Sequence, residues 1–369
     1  MIDISINCLK NFETQYERLQ KEHGTYIAAL NGFGDPQLSY TDFIRNFIDK
    51  DTVADSSIDG NSNVSHKDIV TLLTEMPKPH RKLIAFNKIY YEFEKMFGYH
   101  AANEWLDMEW TGKLYMHDGD TSTFKSYCFA HTLKDLAERG LFFIPNNFNN
   151  KPPKHLVTFV TFVKEYINYN SNRTSGAVGL PDLLIYMFYF WKKDCDNHYL
   201  GGLHTFEECK EYAEQNFQTF IYACNQPYTR DGQQSAFTNT SIFDRPYFEA
   251  LFGGVEYPDG TFVIDYEDEI MEFQKWYMNI MSEIRKENMF TFPVNSISLL
   301  RKEGEYDLNT LDGFEDPEFA EWAIIHNMIW SDSNLFCDIS VNSLSNCCRL
   351  KSDIREMGYV KMPDNSFAA

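Results

Sequence analysis

The sequence has 369 residues, of which 33 are basic and 54 acidic, and its formal net charge is −21. This length suffices for one large domain or two ordinary ones with a sizeable core. Such an acidic balance argues against a protein that wraps nucleic acid or lies on an anionic membrane, because both tasks need a basic face. A small phosphate-bearing ligand stays possible, since backbone N–H groups and one or two cations can hold it.

The cysteines and the apolar runs indicate the cellular compartment. The eight cysteines lack the close, even spacing of a disulfide scaffold. The first twenty residues contain no apolar core of a signal peptide. The longest apolar run, 180–193, is too short to cross a bilayer. We therefore expect a reduced, cytoplasmic protein with neither a nucleic-acid nor a membrane partner.

In chain order, the pattern predicts a helical, polar N-terminal region over residues 1–85 and an α/β region over residues 86–369. Residues 78–110 carry apolar side chains at helical spacing, which favours one or two helices. From residue 114 onward, amphipathic stretches such as 205–224 alternate with short β-prone runs: SYCFAHTL, GLFFI, HLVTFVTFV, QSAFTNTSIF, GTFVIDY and MFTFPVNSISLL. This alternation is typical of an α/β architecture with a largely parallel sheet.

One cluster has the composition of a zinc site, namely Cys195, His198, His204 and Cys209. Their spacing matches no zinc-finger pattern, and Cys209 falls inside a predicted helix. We therefore predict ordinary surface and core residues here and no metal site.

Two polar loops have the composition of a ligand site. RTSGAVGLPD, over 173–182, has glycines and hydroxyls but is neither a Walker loop nor a dinucleotide fingerprint, which favours a plain connection before a buried segment. YMHDGD joins His117 to Asp118 and Asp120, and there a polar turn is favoured over a metal or acid–base cluster.

Cysteines occur in two settings that a structural role explains less well. In NSLSNCCRLKSD, the adjacent Cys347 and Cys348 lie in a turn-prone segment and are followed at once by Arg349. Cys128, in SYCFAHTL, falls on a predicted early strand between aromatic residues. A lone buried cysteine is usually a small apolar residue, but a barrel could bring the 347–348 loop opposite Cys128.

Several segments, taken in order from about residue 40 to the end, resemble the anaerobic (class III) ribonucleoside-triphosphate reductases, which are glycyl radical enzymes. The segments are LYMHDGDTSTFKSYCFAHTL, NRTSGAVGLPDLLIYM, GQQSAFTNTSIFDRPYFEALFGG, FTFPVNSISLL and SDSNLFCDISVNSLSNCCRLKSD. Their joint order is far more specific than any one segment alone.

The resemblance implies a ten-stranded α/β barrel threaded by a finger loop whose tip carries a cysteine. Residues 86–369 would then form the first half of the barrel, with the finger loop near 335–355. Cys348, before the arginine, is the expected thiyl residue, and Cys347 is the alternative. Cys128, on the first barrel strand, would help to expel the ribose 2′-hydroxyl as water after the thiyl has taken the 3′ hydrogen.

The chemistry accounts for a secluded thiol. A thiyl radical forms by loss of a hydrogen atom, so the S–H group must stay protonated. A water-poor interior keeps a thiol neutral, whereas a nucleophilic cysteine needs a lowered pKa. The same seclusion protects a reactive radical from side reactions.

The resemblance also implies a ligand set. His117, Ser126 and Asn239 are the expected substrate-binding residues, and ribonucleoside triphosphates are the expected substrates. A glycyl radical, formate or a small redoxin as reductant, and dNTP or ATP effectors complete the chemistry. A radical S-adenosylmethionine activase and a second copy of the chain, in a homodimer, are the expected protein partners.

The sequence departs from the family pattern at both ends. Members continue to a domain with a four-cysteine metal site and an Arg-x-x-Gly-Tyr radical motif. REMGY, over 355–359, spells that motif, but Gly358 lies ten residues beyond Cys348 and lacks the preceding cysteines. We expect the radical glycine on a complementing C-terminal chain and this chain to be insufficient alone. No basic ATP-cone pattern precedes the helices, so regulation by such a module is not expected.

Two alternatives remain at the level of the sequence. Adjacent finger-tip cysteines also occur in glycyl radical enzymes of the pyruvate formate-lyase type, although the other segments fit the reductase better. A half barrel that binds nucleotide or a partner without turnover is the non-enzymatic alternative.

Overall fold

The computed structural model describes residues 6–24, 70, 73–74, 77–116, 119–121, 123–143, 151–230, 234–287, 289–305, 307, 310–346, 350–353 and 366–368. The helices within them are α1 (Ile6–His23), α2 (Lys78–Phe97), α3 (Tyr99–Trp110), α4 (Lys134–Arg139), α5 (Leu156–Ser171), α6 (Leu183–Asp196), α7 (Phe206–Cys224), α8 (Arg245–Phe252), α9 (Glu267–Glu287) and α10 (Pro317–Trp330). The strands are β1 (Phe129–His131), β2 (Val178–Leu180), β3 (Thr238–Phe243), β4 (Val294–Leu300), β5 (Ser333–Asp338), β6 (Ser343–Asn346), β7 (Leu350–Asp353) and β8 (Ser366–Ala368). None of these helices is long and apolar enough to span a membrane.

The first three helices pack on one another around their own small core. Its buried residues are Cys8, Phe12, Leu19, Phe86, Tyr90, Ala102, Trp105, Leu106 and Trp110. Gly98, at φ +88°, makes the bend between α2 and α3 that a residue with a side chain rarely adopts. The predicted boundary near residue 85 falls inside α2, and the division into two regions stays a prediction.

A six-stranded sheet forms the second and larger part of the structure, in the order β5-β4-β3-β2-β1-β8. The strands β1 to β5 pair in parallel, and β8 joins the edge of β1 in the antiparallel sense. A helix lies in the chain between each successive pair of parallel strands, because a parallel neighbour needs a crossover connection. The predicted α/β class with a parallel sheet is confirmed; the ten-stranded barrel stays a prediction.

The two faces of this sheet differ in polarity. Side chains alternate between the faces along a strand. Leu180, Ile242, Ile297 and Leu299 lie in the main apolar core with the helices. The alternate positions of β3 and β4 are polar and buried: Asn239, Ser241, Ser296 and Ser298. We call these four residues the polar strand face.

Three of the runs predicted as strands are wrong. The described part of GLFFI, residues 140–143, is a bend and turn after α4. HLVTFVTFV forms most of α5, whose buried residues Phe159, Val160, Val163 and Ile167 recur at helical spacing. GTFVIDY contains the short 3₁₀ helix Val263–Tyr266 instead of a strand. β-branched and aromatic side chains raise strand propensity only weakly, and packing against the sheet decides the outcome.

Asp182 connects the end of β1 to the start of α6. Its carboxylate accepts hydrogen bonds from the Leu133 N–H, at 3.0 and 3.1 Å, and from the Thr132 hydroxyl, at 2.7 Å. Burial raises the pKa of Asp182 to about 6, although these hydrogen bonds act in the opposite direction. Ionisation of this carboxyl therefore costs more in the folded than in the unfolded chain.

We expect Asp182 to make the folded chain lose stability as the pH rises. Its folded pKa of about 6 lies above the ordinary 3.8, so the folded state binds the proton more tightly between these values and stability falls with pH there. The free energy of unfolding of the natural chain minus that of Asp182→Asn should drop by about 1 kcal/mol between about pH 5 and pH 7. Urea unfolding of both chains measures it, and a difference that does not change with pH would contradict the assignment.

Candidate active site

Cys128 lies directly before β1 and is 6% exposed. Its Sγ accepts a hydrogen bond from the N–H of Ala177, at 3.2 Å. The residues directly before these two, Gly176 and Tyr127, are also bonded: the N–H of Gly176 donates to the carbonyl of Tyr127, at 2.5 Å. The backbone that leads into β2 therefore holds the thiol at the start of the first strand.

Gly176 is required by this close approach. A Cβ at position 176 would lie 2.6 Å from Cys128 Sγ and 2.7 Å from the carbonyl oxygen of Tyr127. Both distances are below those that real side chains adopt, so any larger residue would displace the thiol or the strand. Local sequence reasoning interpreted this segment as a plain loop and missed its contact with Cys128.

Arg230 fixes the same loop from the other side. Its Nη2 donates to the carbonyl of Ser175, at 2.6 Å, and its guanidinium stacks 4.5 Å from the ring centre of Phe237. The Ser175 N–H donates in turn to the carbonyl of Ser126, at 3.0 Å. The predicted substrate residue Ser126 is exposed and lies two residues before the thiol.

Asn239 lies on β3, two strands away from β1, and is fully buried. The register places Gly179 of β2 between Ala130 and Asn239, so no side chain stands between these two positions. The Nδ2 group of Asn239 donates to the carbonyl of Val294, at 2.7 Å, and to Ser296 Oγ, at 2.9 Å. Within the part of the chain that the structure describes, its Oδ1 has no hydrogen-bond partner.

A β-hairpin carries the cysteine pair. β6 pairs antiparallel with β7, from Ser343 opposite Asp353 to Asn346 opposite Leu350. The connecting residues 347–349, with both cysteines, lie outside the described residues. The strands that flank them nevertheless define a hairpin with the cysteine pair in its connection.

The base of the hairpin is anchored in the sheet region. The hydroxyl of Tyr247, on α8, donates to the carbonyl of Ser343 at 2.8 Å. Burial raises the pKa of Tyr247, so this hydroxyl stays a donor. Leu344 belongs to the main core, Ser345 is fully buried, and β6 contacts β4. The described base of the hairpin, on β6, therefore packs against the sheet.

The other predicted polar residues have mixed outcomes. His117 and Asp118 lie outside the described residues, as does Gly358. Asp120 is bonded to Arg81, whose Nη2 and Nε donate at 2.9 and 3.1 Å. That ion pair ties α2 to the segment before β1.

The residues considered for zinc are bonded within the protein. His198 and His204 contact backbone carbonyl oxygens, those of Leu203 at 2.8 Å and Gly201 at 2.9 Å. In the part of the chain that the structure describes, no group of three or more His, Cys, Asp or Glu could hold a metal ion.

The fold and the site define an α/β protein in which a secluded thiol begins the first parallel strand and a hairpin with a cysteine pair follows the fifth. The family model of the anaerobic ribonucleoside-triphosphate reductases matches residues 78–367, and the chain belongs to this family. No curated protein matches the chain.

Solved structures agree with this assignment. The anaerobic ribonucleotide reductase from Thermotoga maritima in complex with dATP and CTP is 35% identical, with a TM-score of 0.74 over 90% of this chain and 50% of that one. The same organism's enzyme with citrate in the active site is 33% identical, with a TM-score of 0.73 over 93% of this chain and 56% of that one. A further anaerobic ribonucleotide reductase is 36% identical, with a TM-score of 0.74 over 90% and 50%. The chain thus spans about half the length of these relatives.

We expect Gly176→Ala to displace Cys128 and to destabilise the sheet. The added methyl group meets backbone and sulfur atoms that cannot both move away, which costs about 1–3 kcal/mol in a packed interior. Thermal unfolding should show a lower melting temperature, and Cys128 should react faster with a thiol reagent.

Gly202→Ala is the matched control, because an alanine there meets nothing within 4 Å and its φ of −125° suits any residue. Equal melting temperatures for the two variants would contradict the role of Gly176.

Proposed function

We propose that the chain is the part of an anaerobic ribonucleoside-triphosphate reductase that binds the ribose and carries the reacting thiols. The observation that supports this most directly is the secluded Cys128, held by the Gly176 loop at the start of the first parallel strand. The hairpin of β6 and β7, whose connection contains Cys347 and Cys348, is the second support.

In this proposal Cys348 is the thiyl residue, and Cys347 is its neighbour without a radical. The Cys348 thiyl takes the 3′ hydrogen of the ribose. The 2′-hydroxyl then leaves as water with a proton from Cys128, two electrons enter from formate or a small redoxin, and the 3′ hydrogen returns from the Cys348 thiol. The net change is loss of one oxygen atom as water for two electrons and two protons.

Substrate contacts belong to the same proposal. His117, Ser126 and Asn239 bind the nucleotide, and Asn239 Oδ1 offers a buried acceptor for it. The relative that was solved with dATP and CTP holds one deoxyribonucleotide and one ribonucleotide, which supports ribonucleoside triphosphates as substrates and dNTP or ATP as effectors here.

The remaining components lie beyond the described residues. We assign the glycyl radical, which generates the thiyl, to the portion of the enzyme that corresponds to the rest of the solved relatives, and not to Gly358. That portion would complete the ten-stranded barrel, as a complementing C-terminal chain, and turnover would require it. A radical S-adenosylmethionine activase, a homodimeric assembly and a cytoplasmic location complete the proposal. The family match over 78–367 favours nucleotide reduction over a lyase of the pyruvate formate-lyase type.

Serine substitutions distinguish the two cysteines of the hairpin. An O–H bond is too strong to yield its hydrogen atom to a glycyl radical, so Cys348→Ser in the complete, activated reductase should abolish deoxynucleotide formation. Cys347→Ser should retain it. The measurement is anaerobic product formation from CTP with the glycyl radical quantified by electron paramagnetic resonance.

An equal radical content in both variants is the control for activation. Full activity of Cys348→Ser with loss in Cys347→Ser would reverse the assignment. Acyl transfer without nucleotide reduction by the natural enzyme would refute the proposed function.

A further inference from the structure

Ser241 is a buried polar residue that no hydrogen bond from the described residues satisfies. It is 2% exposed, and its Oγ has no partner among them. A buried hydroxyl without a partner costs about 1–3 kcal/mol of desolvation. A protein keeps such an unsatisfied hydroxyl when the hydroxyl has a function. The position of Ser241 suits a hydrogen bond to a hydroxyl group of a ligand.

Ser241 lies in a compact group with two other polar side chains of the polar strand face. It stands directly opposite Ser296 in the register of β3 and β4. Ser296 Oγ accepts the Nδ2 group of Asn239 at 2.9 Å. Neighbouring strands are about 4.8 Å apart, and alternate residues along a strand about 6.6 Å, so the group spans roughly one sugar ring.

The donor and acceptor roles in this group are fixed by its own hydrogen bonds. Both N–H groups of Asn239 Nδ2 are used within the sheet, and Oδ1 stays a buried acceptor with no donor from the described residues. Ser241 can donate and accept. An acceptor beside a hydroxyl matches a vicinal diol, in which each O–H can donate to one group and accept from the next.

The chemistry of these three side chains does not suit the triphosphate or the base of a nucleotide. Asn239, Ser241 and Ser296 are uncharged, and a triphosphate needs cations or several convergent N–H groups. A base is usually held by an aromatic or apolar surface on which it can stack, and these three side chains offer none. The ribose is the part of the substrate that fits.

We propose that Ser241, together with Asn239 Oδ1, binds the 2′,3′-diol of the ribose and selects ribonucleotides over deoxyribonucleotides. This inference rests on the proposed function and adds a residue that determines specificity.

The test compares CTP with 2′-deoxy-CTP in the complete reductase without the glycyl radical, so that nothing turns over. Bound labelled CTP is displaced by each competitor, with saturating dATP present to fill an effector site. Ser241→Ala should weaken CTP binding about five- to tenfold and change 2′-deoxy-CTP binding less than about twofold, since the deoxy sugar lacks one partner hydroxyl. Its melting temperature should be equal or higher, because an unsatisfied buried hydroxyl is removed.

Thr240→Val is the matched control on the opposite face of the same strand. The Thr240 hydroxyl is satisfied by Asn295 Oδ1 at 2.7 Å, so its loss should lower the melting temperature and leave the preference for CTP unchanged. A structural role for Ser241 would weaken both nucleotides equally.

The outcomes separate the two proposals. If the natural enzyme prefers CTP and Ser241→Ala keeps the full preference, the inference is wrong and the proposed function stands. If the natural enzyme does not prefer CTP to 2′-deoxy-CTP, the inference is wrong; the proposed function is wrong only if the complete, activated enzyme forms no deoxynucleotide.

Discussion

Residues 175–177 lie against residues 126–128, and this contact fixes how β1 meets β2. The positions of the later strands follow from that pairing. Three backbone N–H groups take part: that of Ser175 donates to Ser126, that of Gly176 to Tyr127, and that of Ala177 to the Cys128 thiol. The absence of a Cβ at position 176 is the condition for the contacts with Tyr127 and Cys128. The same contact thus fixes how β1 meets β2 and where the Cys128 thiol lies.

From this contact the polar strand face extends across the sheet by register. Gly179 puts no side chain between Ala130 and Asn239, and the hydroxyls of Ser241 on β3 and Ser296 on β4 stand opposite each other. The opposite face packs its aliphatic side chains on the helices, and that burial stabilises the fold. The helix-facing side of the sheet supplies the apolar core. The polar strand face can therefore keep polar groups that the described residues leave unbonded.

Anchoring at the far edge of the sheet has a comparable role. Tyr247 holds the carbonyl of Ser343 at the base of the hairpin, and Asp244, just before the same helix, accepts the N–H groups of Tyr247 and Leu300. One short helix thereby connects β3, β4 and the hairpin. The proposed role of the hairpin would need such fixed supports, since small displacements of reacting groups cost large factors in rate.

Sequence reasoning succeeded where the signal was local or where several motifs occurred in order. The amphipathic stretch 205–224 is α7 in the structure, and the alternation of helices and strands gave the α/β class. It failed for HLVTFVTFV, where a run of β-branched and aromatic residues is a helix. Strand propensity is a weak preference, and burial of one face of the helix outweighs it.

The sequence by itself determined the family, the α/β class and which cysteines are candidates for chemistry, because these depend on residue types and their order. Only the tertiary structure decided that Gly176 touches Cys128, that Asn239 shares a face with Ser241 and Ser296, and that no described residue bonds the Ser241 hydroxyl. These facts depend on the register between strands that lie about 50 or more residues apart in the chain. No local pattern records that register, because a shift by one residue would preserve every motif and turn every side chain to the other face.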